Sequence, residues 1–303
     1  TDSFRKGITA YSNELKVPSV FLLQNMQLSP GSTFNTISEN RQQLQAVFGT
    51  FDINYHDWLI FNLTGRNDWS SNLSFTPSNS YFYPSFGLSV LMSEIISLPK
   101  FLSFVKIRAS HATVGNTVPV YVTNPALGGI VKGSAFTFNK ITPFTDLNPE
   151  KSKSFEIGTD IKLFNDRFNI DFTYYKTNTI NQFFRIQVPP GTGYDFRYIN
   201  GGDIQNSGIE LTLGYQSSQN NDFRWNTLFN FSQNRNEVIE LAEEFEQFVI
   251  NEDLTGYNSI LKVGGSYGDL YGQTLKVDDQ GRILVTSEGY PIPSGTKDLL
   301  GNS

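Results

Sequence analysis

Segments of about ten residues in which apolar and polar side chains alternate recur along the 303-residue chain, and they limit its fold more than any other feature. In one such segment Phe172 and Tyr174 fall on one face, and Asp171 and Thr173 fall on the other. Successive side chains of a β-strand point to opposite faces, so this period of two predicts strands that are apolar on one side. Eight such segments lie between residues 42 and 234. The chain is therefore expected to be all-β.

The connections between the predicted strands alternate in length. The short ones are expected at 56–57, 94–101, 164–167 and 217–222, and the long ones at 67–82, 114–151, 179–205 and from 235 onward. Bacterial outer-membrane barrels sort their connections in this way, with tight periplasmic turns and long extracellular loops. The pattern favours part of a large antiparallel transmembrane β-barrel and leaves a soluble all-β protein as the alternative.

The predicted strands divide the chain into three regions. Residues 1–41 are expected to form an extracellular loop segment, and residues 42–234 at least eight antiparallel barrel strands. Residues 235–303 are expected to form an extracellular loop with a short helix, followed by one or more further barrel strands. The helix is predicted from an apolar repeat at helical spacing. The members of this repeat are Val238, Leu241, Phe245 and Phe248.

Charged side chains interrupt the polar faces of the predicted strands near their midpoints. Such charges are costly to bury in the core of a soluble protein, but they are readily placed along the hydrated lumen of a membrane barrel. We therefore predict that seven polar side chains face the lumen. They are Lys106, Arg108, Glu156, Asp160, Asp171, Glu210 and Arg224.

Aromatic residues are frequent in the predicted long connections. Exposed rings stack on the faces of sugars or pack against peptide side chains, so these residues are candidates for contact with a ligand above the pore. Packing of one loop against another is the alternative role. The candidate ligand-binding residues are Trp69, Tyr121, Phe144, Tyr194, Phe196, Tyr198 and Tyr257.

The composition excludes several functional classes. The chain has no cysteine and only two histidines, which removes disulfide frameworks and thiolate zinc sites and argues against a multi-histidine metal centre. With 23 basic and 29 acidic side chains the formal net charge is −6, and no basic run is present, so nucleic acid is not an expected partner. We expect no cofactor and no bound metal.

One catalytic motif needs separate consideration. Residues 264–268 (GGSYG) fit the G-x-S-x-G pattern of a hydrolase nucleophile elbow, with Ser266 as the nucleophile. That motif requires a following helix and a later histidine, whereas residues 269–274 read as loop or strand and both His56 and His111 precede Ser266. The sequence therefore predicts a glycine-rich turn and a protein that is not an enzyme.

Several motifs occur in an order that resembles one family. They are 65–71 (GRNDWSS) before 83–89 (YPSFGLS), 101–110 (FLSFVKIRAS) before 115–116 (GN), 147–150 (LNPE) before 154–158 (SFEIG), 172–177 (FTYYKT) and 200–211 (NGGDIQNSGIEL). In these residues the chain resembles the barrel of SusC/RagA-type TonB-dependent transporters, from about residue 40 to its end.

The resemblance implies an outer-membrane importer of Bacteroidota, built as a barrel of the 22-stranded, plugged type. It also implies a SusD-like surface lipoprotein over the extracellular mouth and a TonB complex that acts through the N-terminal plug region, which is expected to lie outside these residues. Substrates in this family are mostly oligosaccharides, with oligopeptides in some members. A soluble all-β adhesin or carbohydrate-binding module and a TonB-dependent receptor for siderophores or other iron chelates remain the alternatives.

Overall fold

Strands dominate the computed structural model, which describes residues 2–9, 36–77, 79–116, 118–123, 129–132, 135–138, 141–142, 144–217, 223–242, 245–252 and 257–301. The strands are β1 (Asp2–Thr9), β2 (Thr36–Tyr55), β3 (Leu59–Ser70), β4 (Ser80–Leu91), β5 (Leu102–Asn116), β6 (Gly129–Lys132), β7 (Ala135–Phe138), β8 (Ile141–Thr142), β9 (Glu150–Leu163), β10 (Phe168–Gln187), β11 (Phe196–Gln216), β12 (Asn226–Glu240), β13 (Gln247–Glu252), β14 (Tyr257–Lys262), β15 (Leu270–Leu275) and β16 (Pro293–Gly301). The helices among the described residues are α1 (Met92–Ile95) and the 3₁₀ turns Ser71–Leu73 and Pro190–Thr192. None of the described helices has the length and apolarity needed to cross a bilayer. The prediction of an all-β chain is confirmed.

Most of the long strands form one sheet in the order β1-β2-β3-β4-β5-β9-β10-β11-β12, and every neighbouring pair along this order is antiparallel. The short β8 adds to the start of β11 in parallel. Strands β13 to β16 form a second antiparallel sheet, and β6 pairs with β7. The main sheet is thus an up-and-down meander that remains unclosed within the described residues.

The register of the main sheet gives it one apolar face and one polar face. One row of directly paired residues on the apolar face is Leu59, Val90, Ile107, Thr159, Phe172, Leu211 and Phe231. The next row, on the polar face, is Ile60, Ser89, Arg108, Gly158, Thr173, Glu210 and Ser232. On the apolar face Ile107 is 42% exposed and Phe231 is 44% exposed. A broad apolar face that remains open to its surroundings is what a lipid-facing wall requires.

Aromatic rings line the apolar face at the end of the sheet where the tight turns lie. Phe164 contacts Phe168 with ring centroids 5.9 Å apart, Phe168 contacts Tyr215 at 4.7 Å, and Tyr215 contacts Trp225 at 4.9 Å. Such a belt of rings is typical of the membrane–water interface of outer-membrane barrels. The turn between β9 and β10 is short, at residues 164–167, and Phe164, Asn165 and Asp166 in it have positive φ angles of 53°, 57° and 64°.

Buried side chains collect at the opposite end of the sheet, where the longer connections lie. One buried cluster consists of Leu73, Tyr81, Tyr83, Val118 and Leu147, with Val122, Phe144 and Phe183 packed against it. A second consists of Phe184, Ile199, Ile204, Val238, Leu241 and Leu261, with Phe245 and Phe248 among the residues packed against it. The loops at this end are therefore folded onto the strand ends and form a packed layer.

The predicted long connection at 179–205 is wrong. Strand β10 continues to Gln187 and β11 begins at Phe196, so only residues 188–195 connect them. Two irregularities hide the strand pattern in the sequence. Asn181 has a φ of 56° and is skipped in the pairing of β10 with β11, and Gly202 has a φ of 84° beside a register shift between β11 and β12. Asn181 and Gly202 lie opposite each other and drop out of the pairing without any register shift between β10 and β11. Residues in the left-handed region interrupt the regular strand conformation, and the period of two with it.

The predicted short helix that carries Val238, Leu241, Phe245 and Phe248 is also wrong. Strand β12 runs to Glu240 and β13 starts at Gln247, while residues 243–244 lie outside the described residues. Ile204 pairs with Val238 and Asp203 pairs with Glu240, so Ile239 is an extra residue in the strand. This bulge brings Val238 and Leu241 into one buried cluster, which imitates the spacing of a helix.

The N-terminal region differs from the predicted loop as well. Strand β1 pairs with residues 36–43 of β2, so two parts of the region 1–41 are extended and hydrogen-bonded. Residues 10–35 lie outside the described residues. The alternation of apolar and polar residues is weak before residue 42, because this part of β2 carries polar residues such as Glu39, Asn40 and Arg41 in succession.

Close packing at a glycine on the polar face gives a testable prediction. A Cβ atom at Gly208 would lie 2.2 Å from the backbone oxygen of Gln233 and 2.6 Å from the hydroxyl of Tyr175. We expect Gly208→Ala to lower the free energy of unfolding by about 1–2 kcal/mol, because a backbone atom must move. The denaturant midpoint of the complete protein measures this effect. Gly49→Ala is the control, since no atom lies within 4 Å of its added Cβ; an equal loss in both variants would contradict the argument.

Candidate functional site

Four of the predicted lumen-facing side chains form one ion-pair network on the polar face of the sheet. The guanidinium of Arg108 on β5 donates to Asp160 on β9, and its Nη2 lies 2.7 Å from Asp171 Oδ1 on β10. The same nitrogen donates to Thr173 Oγ1 at 2.6 Å. Lys106 Nζ lies 3.7 Å from Asp160 Oδ2. Arg108 therefore joins three neighbouring strands through charged hydrogen bonds.

The register explains why these side chains meet. Asp160 and Asp171 are directly opposite each other on β9 and β10, a position in which two like charges repel. Arg108 is paired with Gly158, two residues from Asp160 along β9 and on the same face, and a Cβ atom on Gly158 would lie 2.9 Å from Arg108 Nε. The missing side chain at Gly158 thus leaves room for the guanidinium to reach both carboxylates.

The remaining predicted lumen-facing residues differ in their surroundings. Glu156 and Glu210 lie on the same polar face as the network and are exposed, opposite Tyr175 and Thr173 respectively. The position predicted for Arg224, at the middle of a strand, is wrong. Arg224 is exposed in the connection before β12, which begins at Asn226. Trp225, next to Arg224, contacts Tyr215 among the aromatic rings at the turn end of the sheet. The alternation of apolar and polar residues in the sequence therefore starts before the strand itself does.

A cavity of about 660 Å³ lies at the loop end of the sheet and is lined by two of the predicted ligand-binding aromatics, Phe144 and Tyr198. The ring of Tyr198 stacks on Phe183 with centroids 4.3 Å apart and an interplanar angle of 18°. The carboxylates of Asp203 and Glu240 also line the cavity. We refer to this space as the loop-end cavity. It combines aromatic surface with hydrogen-bond acceptors, as ligand sites for polar molecules do.

The polar wall of the loop-end cavity is fixed by hydrogen bonds. Asn200 Oδ1 accepts from the backbone N–H of Asn148 at 2.6 Å, and Asn200 Nδ2 donates to the backbone oxygen of Asn181 at 2.8 Å. Asn178 Nδ2 donates to both carboxylate oxygens of Asp203 at 2.8 and 3.0 Å. Asn200 thus ties the loop before β9 to β10, beside the irregular positions Asn181 and Gly202. Sequence reasoning missed Phe183, Asn200 and Asp203, because these irregular positions interrupt the strand pattern and make this part of the chain look like loop.

The other predicted ligand-binding aromatics are dispersed. Phe196 lies near the loop-end cavity, and the guanidinium carbon of Arg185 lies 4.6 Å from its ring centroid. Tyr194 is in the connection between β10 and β11. Trp69 lines a different cavity of about 360 Å³ at the end of β3. Tyr121 accepts a hydrogen bond from the backbone N–H of Arg41 at 2.9 Å, and Tyr257 begins β14 in the second sheet.

The geometry around Ser266 does not form a catalytic triad. Ser266 Oγ donates to the backbone oxygen of Asn236 at 3.1 Å. His111 lies on β5 and stacks on Phe86, and His56 lies in the turn between β2 and β3 and contacts Tyr55. The following segment enters β15 instead of a helix. In the part of the chain that the structure describes, no three His, Cys, Asp or Glu side chains are grouped as metal ligands would be.

An unclosed antiparallel meander with an exposed apolar face and a charged face defines the wall of a membrane β-barrel. The chain belongs to the TonB-dependent receptor-like β-barrel family, whose model matches residues 9–289. This family resides in outer membranes and consists of receptors and transporters. Membership of this family therefore favours a membrane barrel over the alternative of a soluble all-β adhesin or carbohydrate-binding module.

Individual proteins support the same family. TonB-dependent receptor P3 of Formosa agariphila is 30% identical over 276 residues, which are 87% of this chain and 27% of that protein. TonB-dependent receptor SusC of Bacteroides thetaiotaomicron is 23% identical over 88% of this chain and 28% of its own length. In fold, the chain is similar to the RagAB peptide importer in its closed-closed state, with a TM-score of 0.75, 20% identity, and coverage of 97% of this chain and 33% of that one. The chain thus spans about a quarter to a third of the proteins it matches.

Proposed function

We propose that the chain forms a barrel-wall segment of an outer-membrane importer that takes up oligosaccharides or oligopeptides by TonB-dependent active transport. The apolar face of the main sheet contacts lipid, and the polar face lines a hydrated lumen. The predicted lumen-facing residues Lys106, Arg108, Glu156, Asp160, Asp171 and Glu210 all lie on that polar face. The proposal assigns no chemical reaction to any of them.

The observation that carries this proposal is the difference between the two faces of the main sheet. Apolar side chains remain exposed across the strands on one face, and a partly exposed ion-pair network occupies the other. A soluble sheet covers its apolar face with a second layer, whereas a membrane barrel leaves that face to lipid and directs polar side chains to its lumen. The arrangement therefore supports a wall between bilayer and water.

The partners are proposed from the similarity to SusC and RagA. A SusD-like surface lipoprotein is proposed to cover the loop end, and a TonB complex is proposed to act through parts of the protein beyond this chain. One similar structure is described as a peptide importer, which supports oligopeptides as one substrate class. The aromatic and acidic lining of the loop-end cavity suits a sugar ring equally well.

Purification of the complete receptor from its native outer membrane tests this proposal. We expect the receptor to require detergent, to co-purify with a surface lipoprotein, and to support TonB-dependent uptake of a labelled oligosaccharide or oligopeptide pool. Uptake of an iron chelate without any lipoprotein partner would contradict the proposal and favour the siderophore-receptor alternative. Recovery of the receptor in the aqueous fraction without detergent would contradict the barrel assignment.

A matched pair of variants tests the loop-end cavity as a site of substrate contact. We expect Tyr198→Ala to weaken binding of the transported substrate by about tenfold, because stacking on a buried aromatic surface contributes on the order of 1 kcal/mol or more. Equilibrium binding to the complete receptor measures the change. Phe196→Ala is the control, since its ring is engaged by Arg185 and does not line the cavity. Equal loss in both variants would exclude a specific role for Tyr198.

A further inference from the structure

We infer that three lysines on the outer surface of the barrel wall bind the phosphate groups of a lipid in the outer leaflet. They lie on β9 and β10 and are Lys151, Lys153 and Lys176. We refer to them as the lysine cluster. The inference rests on the barrel wall of the proposed function. It goes beyond that function, because it assigns a specific ligand to the surface that faces away from the lumen.

The lysine cluster belongs to the apolar face of the main sheet. Lys153 and Lys151 come two and four residues before Phe155 on β9, and Lys176 comes two residues after Tyr174 on β10. Phe155 and Tyr174 are both exposed on the apolar face. Residues two apart along a strand point to the same side of a sheet. All three lysines therefore leave the sheet on the side that carries the exposed apolar residues.

The apolar span next to the lysine cluster has the length of a membrane crossing. On β9 this span runs from Leu163, beside the tight turn, to Phe155, which is nine residues. A barrel strand needs about nine to eleven residues to cross the hydrocarbon core of a bilayer. Lys153 is the next residue of this face, at the end with the longer connections. A lysine at such a boundary lays its alkyl stem along apolar surface and places its ammonium group among the lipid head groups.

The register brings the three lysines close enough to share one anion. Lys153 is paired with Asn178, and Lys176 is paired with Phe155, so the two lysines are diagonal neighbours on adjacent strands. Diagonal neighbours lie about 7–8 Å apart, within the reach of long side chains. Lys151 is two residues from Lys153 on the same face, a separation of about 7 Å. Three ammonium groups can therefore meet around a single phosphate group.

The charge of this part of the face is positive and unbalanced. Within the described residues, β5, β9 and β10 place no carboxylate on the apolar face, and the lysine cluster has no ion-pair partner. Carboxylates on this face lie on β11 and β12. There Asp203 accepts from Asn178 Nδ2, and Glu237 Oε2 lies 3.4 Å from Arg235 Nη2. The lysine cluster is thus left to attract an anion from its surroundings.

The surroundings of the lysine cluster favour a lipid over a dissolved anion. The apolar span of β9 and β10 accepts acyl chains, and the ammonium groups lie at the level where those chains join the head group. Lysine binds phosphate as a point charge, and basic side chains at the edge of a bilayer attract anionic head groups. A phosphorylated lipid satisfies both surfaces, whereas inorganic phosphate satisfies only one of them.

Native mass spectrometry of the complete receptor in a neutral detergent tests the lysine cluster. Diphosphoryl lipid A is the charged probe, and a diglycosyl diacylglycerol without phosphate is the neutral one. We expect lipid A to bind about tenfold more tightly or better, and Lys153→Gln/Lys176→Gln to weaken its binding by about twentyfold, because each cation at a lipid head group contributes about fivefold. Lys153→Arg/Lys176→Arg should retain binding, since the charge is kept. Added salt should weaken binding in the unaltered receptor.

Lys162→Gln is the matched control. Lys162 lies on the same strand as Lys153 but on the polar face, and its Nζ lies 5.6 Å from the ring centroid of Phe104 near the turn end. The variant removes the same charge from the same strand without touching the lysine cluster. We expect it to bind lipid A as the unaltered receptor does.

Several results would overturn the lipid site. They are equal binding of the charged and neutral lipids, unchanged affinity in the double glutamine variant, an equal loss in Lys162→Gln, and displacement of lipid A by inorganic phosphate at a similar concentration. If the double variant fails to fold, the single variants Lys153→Gln and Lys176→Gln replace it, and unchanged affinity in both counts against the site. A receptor that transports substrate but does not distinguish the two lipids overturns the lysine cluster alone. Recovery of the receptor in the aqueous fraction without detergent contradicts the barrel assignment itself.

Discussion

Phe172→Arg is expected to lower the free energy of unfolding of the complete receptor in lipid vesicles by about 2–4 kcal/mol. Phe172 is the fifth residue of β10, in the middle of the stretch Phe168–Tyr174 that places Phe, Ile, Phe and Tyr on the apolar face, and it is 37% exposed in a row with Ile107 and Phe231. An arginine at this depth must carry its charge into hydrocarbon or bend away to reach water. The shift of the denaturant midpoint measures the loss, and Ile107→Arg should give a loss of similar size.

Thr212→Arg is the control for this prediction. Thr212 lies directly opposite Asp171 on the polar face, one strand from Phe172, so the added guanidinium would meet water and a carboxylate. We expect a change of less than about 0.5 kcal/mol. Equal losses at Phe172 and Thr212 would mean that the two faces have the same surroundings, which would contradict the assignment of lipid to one of them.

Arg108→Ala is expected to destabilise the barrel wall by about 1.5–3 kcal/mol, the second-largest effect. The change removes charged hydrogen bonds to Asp160 and Asp171 and leaves these two carboxylates directly opposite each other. Like charges at directly opposed positions of a sheet repel. The double variant Arg108→Ala/Asp160→Asn should recover part of the loss, because it removes one of the two charges.

Arg235→Ala is the control that separates the loss of the ion-pair network from the general effect of removing an arginine. Arg235 pairs with Glu237 at 3.4 Å, and its side chain is 77% exposed, so its ion pair is expected to contribute little. Urea titration of each variant in lipid vesicles provides the comparison. A loss in Arg235→Ala as large as that in Arg108→Ala would contradict a specific role for the network, as would failure of the double variant to recover stability.

The period of two was sufficient to predict the wall of the barrel. Around β9 and β10 the sequence places Ile157, Phe172 and Tyr174 on one face and Asp160 and Asp171 on the other, and the structure agrees. The sequence also predicts the short turn between β9 and β10 at residues 164–167. The sequence could not predict that Arg108 bridges the two acids, because that contact depends on the register of three strands and on the space left by Gly158.

The loop end was harder to predict for a physical reason. Asn181 and Gly202 face each other with positive φ angles and interrupt the strand pattern, so residues such as Phe183 and Asn200 do not continue a simple alternation. The extra residue Ile239 in β12 gives Val238 and Leu241 the spacing of a helix. Of the loop aromatics, Phe144 and Tyr198 line one cavity, whereas Trp69 and Tyr257 lie elsewhere. Such groupings follow from tertiary packing, which a local pattern does not contain.

Single-cysteine labelling along β10 tests most directly the claim that this sheet separates lipid from water. This chain has no cysteine, so once any cysteine elsewhere in the complete receptor is replaced, a nitroxide label can be placed at one position at a time from Ile170 to Tyr174. We predict that labels at 170, 172 and 174 are accessible to oxygen dissolved in lipid, and that labels at 171 and 173 are accessible to a water-soluble nickel complex. Uniform accessibility to the nickel complex at all five positions would contradict a transmembrane wall.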